Sequence, residues 1–71
     1  MANWIKVNYE RDKQVYIIDL DRVAMFSLSG NFRLTLYFDS NQPPLTITKQ
    51  SQPDVFQFIL NYVESTTGHS L

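Results

Sequence analysis

The chain has 71 residues, a mass of 8.3 kDa, a formal charge of −1 and no cysteine, which leaves room for one small domain without a disulfide staple. At 44% hydrophobic and 14% aromatic it is too apolar to be disordered. Two glycines (Gly30, Gly68) exclude a glycine-rich phosphate loop, a lone histidine (His69) excludes a histidine-based metal site, and six basic against seven acidic residues in no block give little pull on polyanions.

Residues 3–9 alternate Ile5, Val7 and Tyr9 against Trp4, Lys6 and Asn8, the period of a strand. Glu10 to Lys13 reads as a charged tip, and residues 14–20 as a second strand closing a hairpin. Asp21-Arg22 interrupts the pattern before Val23 to Ser29 resumes it, which predicts a tight turn or a bulge. Ser29-Gly30-Asn31 is the clearest turn, since Gly and Asn tolerate the positive φ of short hairpins. Residues 32–38 alternate cleanly, Asp39 to Pro44 forms a polar loop, and Leu45 to Thr48 a short edge strand.

The last element changes period. Ser51-x-x-Asp54 resembles a capping box with Pro53 in the first turn, and Val55, Phe56, Ile59, Leu60 and Val63 recur at helical spacing. Phe58 and Tyr62 widen the apolar arc to about 200°, more than one sheet face requires. Gly68 sits where a helix C-cap or a fraying tail would begin. The fold expected is α+β: an antiparallel sheet of four to five strands followed by one C-terminal helix packed on one face, with an ordered core over 3–66 and a flexible tail over 67–71.

Combining the strand parities places Ile5, Val7, Ile18, Leu20, Val23, Met25, Leu34, Leu36, Leu45 and Ile47 on one face, with Phe32 and Phe38 at its ends. The opposite face then holds Trp4, Lys6, Ile17, Asp19, Ala24, Phe26, Arg33, Thr35, Tyr37, Thr46 and Thr48. A solvent-facing sheet surface is normally charged and hydroxylated. Trp4, Ile17, Phe26 and Tyr37 on it, with Phe58 and Tyr62 on the helix margin, predict an interface: a homodimer, or contact with another protein. A strongly curved sheet covering both of its own faces is a second solution. The alternative function is single-stranded nucleic-acid binding, with Tyr37 stacking bases while Lys6 and Arg33 meet phosphates.

Catalytic chemistry is hard to assemble. Asp19 and Asp21, at i and i+2, would sit about 7 Å apart on one strand face, a spacing at which paired carboxylates can act. Asp19 ends a strand and Asp21 opens a turn beside Arg22, which favours structural roles. His69 lies in the expected tail, so no serine has an ordered histidine partner. No enzyme activity, cofactor or metal is expected. Trp4, Tyr16 and Tyr37 are candidates to line a small ligand site. The N-terminus lacks a secretory pattern and no apolar run approaches a membrane span, so a cytoplasmic setting is expected.

The runs Trp4-Ile5-Lys6-Val7, Tyr16-Ile17-Ile18-Asp19-Leu20-Asp21-Arg22-Val23 and Leu34-Thr35-Leu36-Tyr37-Phe38, closed by Phe56-x-x-Ile59-Leu60, resemble a class of small β-rich bacterial proteins ending in one helix, similar to hypothetical proteins of cyanobacterial genomes. The resemblance spans nearly the whole chain, implies a ββββ(β)α fold and an intracellular setting, and carries over no catalytic or binding residue. The last strands and helix also bear a looser likeness to a pleckstrin-homology-like barrel, a fold with more strands than this chain supplies.

Overall fold

A computed structural model describes residues 3–9, 12–39 and 41–71. Five strands and one helix follow in order: β1 (Trp4–Tyr9), β2 (Gln14–Asp19), a single 3-10 turn (Leu20–Arg22), β3 (Val23–Leu28), β4 (Arg33–Phe38), β5 (Leu45–Thr48) and α1 (Pro53–Thr67). The strands form two antiparallel sheets, a β1-β2 hairpin and a β3-β4-β5 meander, an α+β arrangement. Of the expected charged tip, Glu10 and Arg11 lie outside the described residues.

One core joins both sheets and the helix. Val7 and Ile18 from the hairpin, Leu20 from the turn, Leu34, Leu36, Leu45 and Ile47 from the meander, and Phe56, Ile59 and Val63 from α1 are all buried together. Each lies at the parity or helical spacing that the sequence assigns to an inward face. No polar or charged residue joins them among the described residues, so the core carries no desolvation cost beyond its backbone. The helix buries Phe56, Ile59 and Val63, a stripe of ordinary width, while Val55, Leu60 and Tyr62 flank it half-buried and Phe58 stands exposed.

Four local expectations change. First, β3 carries a bulge: Val23 pairs with Phe38 but Met25 with Tyr37, so Ala24 is an extra residue that reverses the alternation. Met25 is therefore exposed rather than in the core, whereas Phe26 and Leu28 pack inward. Second, positive φ falls on Lys13 (φ 55°) and Phe32 (φ 55°), not on Gly30 or Asn31. Phe32 thereby leaves the core end predicted for it and is exposed. Third, Ser51 does not cap α1. Its hydroxyl bonds to Thr48 Oγ1 (2.7 Å), and the N-cap is Gln52, whose own side chain accepts the Asn8 amide hydrogen (3.1 Å). Pro53 at the first helical position sets that boundary, because it supplies φ for the helix and needs no acceptor. Fourth, the strands divide into two sheets at the 3-10 turn. Of the two readings at Gly68 the structure takes the C-cap: Gly68 adopts φ 77°, and its amide hydrogen closes on the Glu64 carbonyl at 2.9 Å.

Candidate binding surface

The outward face of the hairpin is built by simple alternation. Register pairs Trp4 with Asp19, Lys6 with Ile17 and Asn8 with Val15, and these six side chains share the side away from the core. Three are large and apolar: Trp4 is 60% exposed, Val15 56% and Ile17 68%. The outer face of the meander differs. Ser27, Arg33, Thr35, Thr46 and Thr48 occupy most of it, and only Met25 and Tyr37 are apolar or aromatic. That composition is the ordinary solvent-facing one.

The predicted interface residues thus part company. Trp4 and Ile17 lie together on the hairpin, and Tyr37 lies on the other sheet opposite Met25. Phe26 is corrected to the inner side by the bulge, where its ring packs 6.2 Å from that of Tyr62. Tyr62 is half-buried as well, so neither ring is available to a partner as a free surface. Phe58 remains exposed on the helix. The proposed nucleic-acid contacts are also divided, with Lys6 on the hairpin and Arg33 and Tyr37 on the meander. Val15 was missed by sequence reasoning, although its parity with Ile17 was the available signal.

The two aspartates serve structure. Asp19 accepts the Asp21 amide hydrogen (3.0 Å) and lies 3.7 Å from the Arg22 guanidinium, which closes the 3-10 turn. Asp21 accepts hydrogen bonds from the Tyr62 hydroxyl and from Asn3 Nδ2 (3.2 Å), tying the turn to α1 and to the start of β1. The Tyr62 hydroxyl first, and Asn3 second, hold the Asp21 carboxyl below the usual carboxylate range, while donation to Asp21 pushes the Tyr62 phenol up. Tyr16 is raised in the same way by donating to Asp12. His69 sits beyond the helix, its amide hydrogen on Thr67 Oγ1 at 3.1 Å. Among the described residues no three His, Cys, Asp or Glu side chains group as a metal site, and no helix is long and apolar enough to cross a membrane.

A cleft of about 760 Å³ runs beside the hairpin, with Trp4, Tyr16 and Ile17 on one wall and Phe38, Pro43 and Pro44 on the other. Consecutive residues of β2, from Tyr16 through Asp19, all line it, which means that it follows the edge of the strand rather than one face. Of the three aromatic residues considered for a ligand site, Trp4 and Tyr16 meet here and Tyr37 does not. Prolines lack amide hydrogens, so the wall at Pro43-Pro44 has no ladder donors to offer β2, and the gap between the sheets stays unclosed. Comparison of the chain with protein-family profiles, with curated proteins and with solved structures gives no match in any of the three.

Proposed function

We propose that this chain is a small cytoplasmic, non-enzymatic binding protein that self-associates as a homodimer through the outer side of its β1-β2 hairpin. The carrying observation is the exposure of Trp4, Val15 and Ile17 side by side on one small hairpin face. Isolated exposed apolar residues need no explanation, but three together on a six-residue face mark an interaction surface.

A domain this small, with no cysteine, also gains most from a partner subunit. Light scattering after size exclusion tests the proposal directly. A dimer is expected at micromolar concentration, and a monomer persisting at high micromolar concentration overturns it.

A second reading, binding of single-stranded nucleic acid, is favoured by one feature: exposed Phe32 carries the Lys49 ammonium 5.0 Å from its ring centroid, beside Arg33. Oligonucleotide added at low salt should then move the amide signals of Arg33 and Lys49, together with those of Lys6 and Tyr37; unmoved signals end that reading.

A further inference from the structure

The cleft beside the hairpin has the size and lining of a ligand site. At about 760 Å³ it lies within the roughly 300–1,000 Å³ of small-molecule sites, and β1, β2, the end of β4 and the approach to β5 all contribute to it. The described residues that line it include four aromatic rings, Trp4, Tyr9, Tyr16 and Phe38. Trp4 is exposed, whereas the other three are half-buried against the core, which fixes their rings in place at the rim. Tyr9 and Tyr16 meet edge to face with centroids 5.9 Å apart, a contact that occupies the face of one ring only.

Charge narrows the ligand. Among the described residues that line the cleft the only cation is Arg22, and it is held 3.7 Å from Asp19, so those two charges offset each other. Asp12, beyond the opposite end of β2, accepts the Gln14 amide hydrogen (3.0 Å) and the Tyr16 hydroxyl, and has no ion-pair partner among the described residues. Both donors are uncharged, so they fix the carboxylate beside the Tyr16 ring without neutralising it. A carboxylate attracts a cation by its full charge, and ring faces attract one through their quadrupole. The two effects act at the same end of the cleft. An anion is repelled by both, and a neutral ligand gains from neither.

We infer that this cleft binds a small organic ammonium ion, with the cationic head among Tyr9, Tyr16 and Asp12 and the apolar body against Phe38, Pro43 and Pro44. The volume is that of a whole small molecule, which makes the ligand a free one rather than a single side chain of a larger partner. Tyr9 and Tyr16 alternate with Val15 and Ile17 in the hairpin, so the head site lies on the opposite side from the proposed dimer face. The inference therefore stands independently of self-association.

Benzyltrimethylammonium is the probe, with benzyl alcohol as its uncharged counterpart and benzoate as its anionic one. Each is titrated into the unmodified protein and followed by the amide signals of Asp12 and Tyr16 and by the indole N–H of Trp4, the single tryptophan of the chain. The ammonium ion should move all three signals to saturation, benzyl alcohol should bind about fivefold more weakly, and benzoate should leave them in place. Asp12→Asn keeps an acceptor for the Gln14 amide and removes the charge. It should raise the Kd of the ammonium ion by up to about fivefold and leave that of benzyl alcohol unchanged. Because the comparison of the three probes uses the unmodified protein, it holds whether or not the variant folds. Unmoved signals, equal binding of the ammonium ion and the alcohol, or binding of benzoate overturns the inference. So does a folded Asp12→Asn variant whose affinity for the ammonium ion is unchanged.

Discussion

Ile17→Glu separates association from folding. In the monomer the Ile17 side chain is 68% exposed and lies directly opposite Lys6. Glutamate there forms an opposite-charge cross-strand pair, worth about 0.2–1 kcal/mol, and removes almost no buried surface. Unfolding of the monomer should thus change by no more than about 0.5 kcal/mol. Association responds differently. Full burial of an isoleucine contributes about 1.5–3 kcal/mol, so burying the two-thirds still exposed contributes about 1–2 kcal/mol per copy. Two-fold symmetry doubles this to about 2–4 kcal/mol, a weakening of roughly 30- to 1,000-fold in Kd, before any repulsion between the two new carboxylates. Sedimentation equilibrium measures the Kd, and urea unfolding at a concentration where both proteins are monomeric measures stability. An unchanged Kd refutes the interface, and a monomer destabilised by more than about 1 kcal/mol refutes the description of Ile17 as free surface.

Three other outcomes are expected. Phe58→Glu, on the exposed helix margin, should leave urea unfolding of the monomer within about 0.5 kcal/mol; if the margin joins the interface, dimer affinity falls while folding holds, and equal loss of both would assign Phe58 to the core. Gly30→Ala should add about 0.4–1 kcal/mol in thermal or urea unfolding, because its φ is not positive and an added Cβ meets nothing within 4 Å; a loss of stability would refute that backbone description. The Asp21–Tyr62 bond sets a pH window: the lowered Asp21 pKa gives stability that is fully present above the ordinary carboxylate range and lost as pH falls from there through the lowered folded-state pKa, and the raised Tyr62 pKa gives stability fully present below the ordinary phenol range and lost as pH rises from there through the raised folded-state pKa. Tm measured from acid to alkaline pH should show both shoulders, and Tyr62→Phe should flatten them; an unaltered profile would count against the bond.

Most of the fold was legible because alternation over β1, β4 and β5 assigns their inward faces and each buried residue there follows it, while β2 runs through four apolar residues, Val15 to Ile18, and takes its inward face from Ile18 and Leu20. β3 was ambiguous by nature. Val23 and Met25 are apolar at one parity, Phe26 and Leu28 at the other, and only the partner register at Ala24 decides between them. Ser27 between Phe26 and Leu28 was the one hint, since a polar residue between two apolar ones marks the outward parity. The helix start was displaced by one residue because a Ser-x-x-Asp pattern and a first-turn proline each predict a boundary, and the proline prevails. For the site, exposure of Trp4 and Ile17 followed from parity alone. The free edge of β2 did not, since an edge is a property of strand order, which alternation does not encode.

Two local features explain why that edge is open. Leu20-Asp21-Arg22 turns the chain out of β2 in one 3-10 turn, held by the Asp19 cap and by the Asp21 bonds to Asn3 and Tyr62. A strand that continued through these residues would have carried the hairpin and the meander as one sheet. On the far side of the cleft, Pro43 and Pro44 remove the two amide hydrogens nearest the start of β5, so the sheets have no ladder with which to close into a barrel there. The turn also contributes Leu20 to the core, whereas Pro43 and Pro44 are exposed. The joint effect of turn and prolines is a regular six-residue strand whose outward amides and carbonyls have no partner strand in the monomer. Ile17 points away from the core on that strand, so closing the sheets along the edge would pair its backbone and still leave its side chain on the outer face.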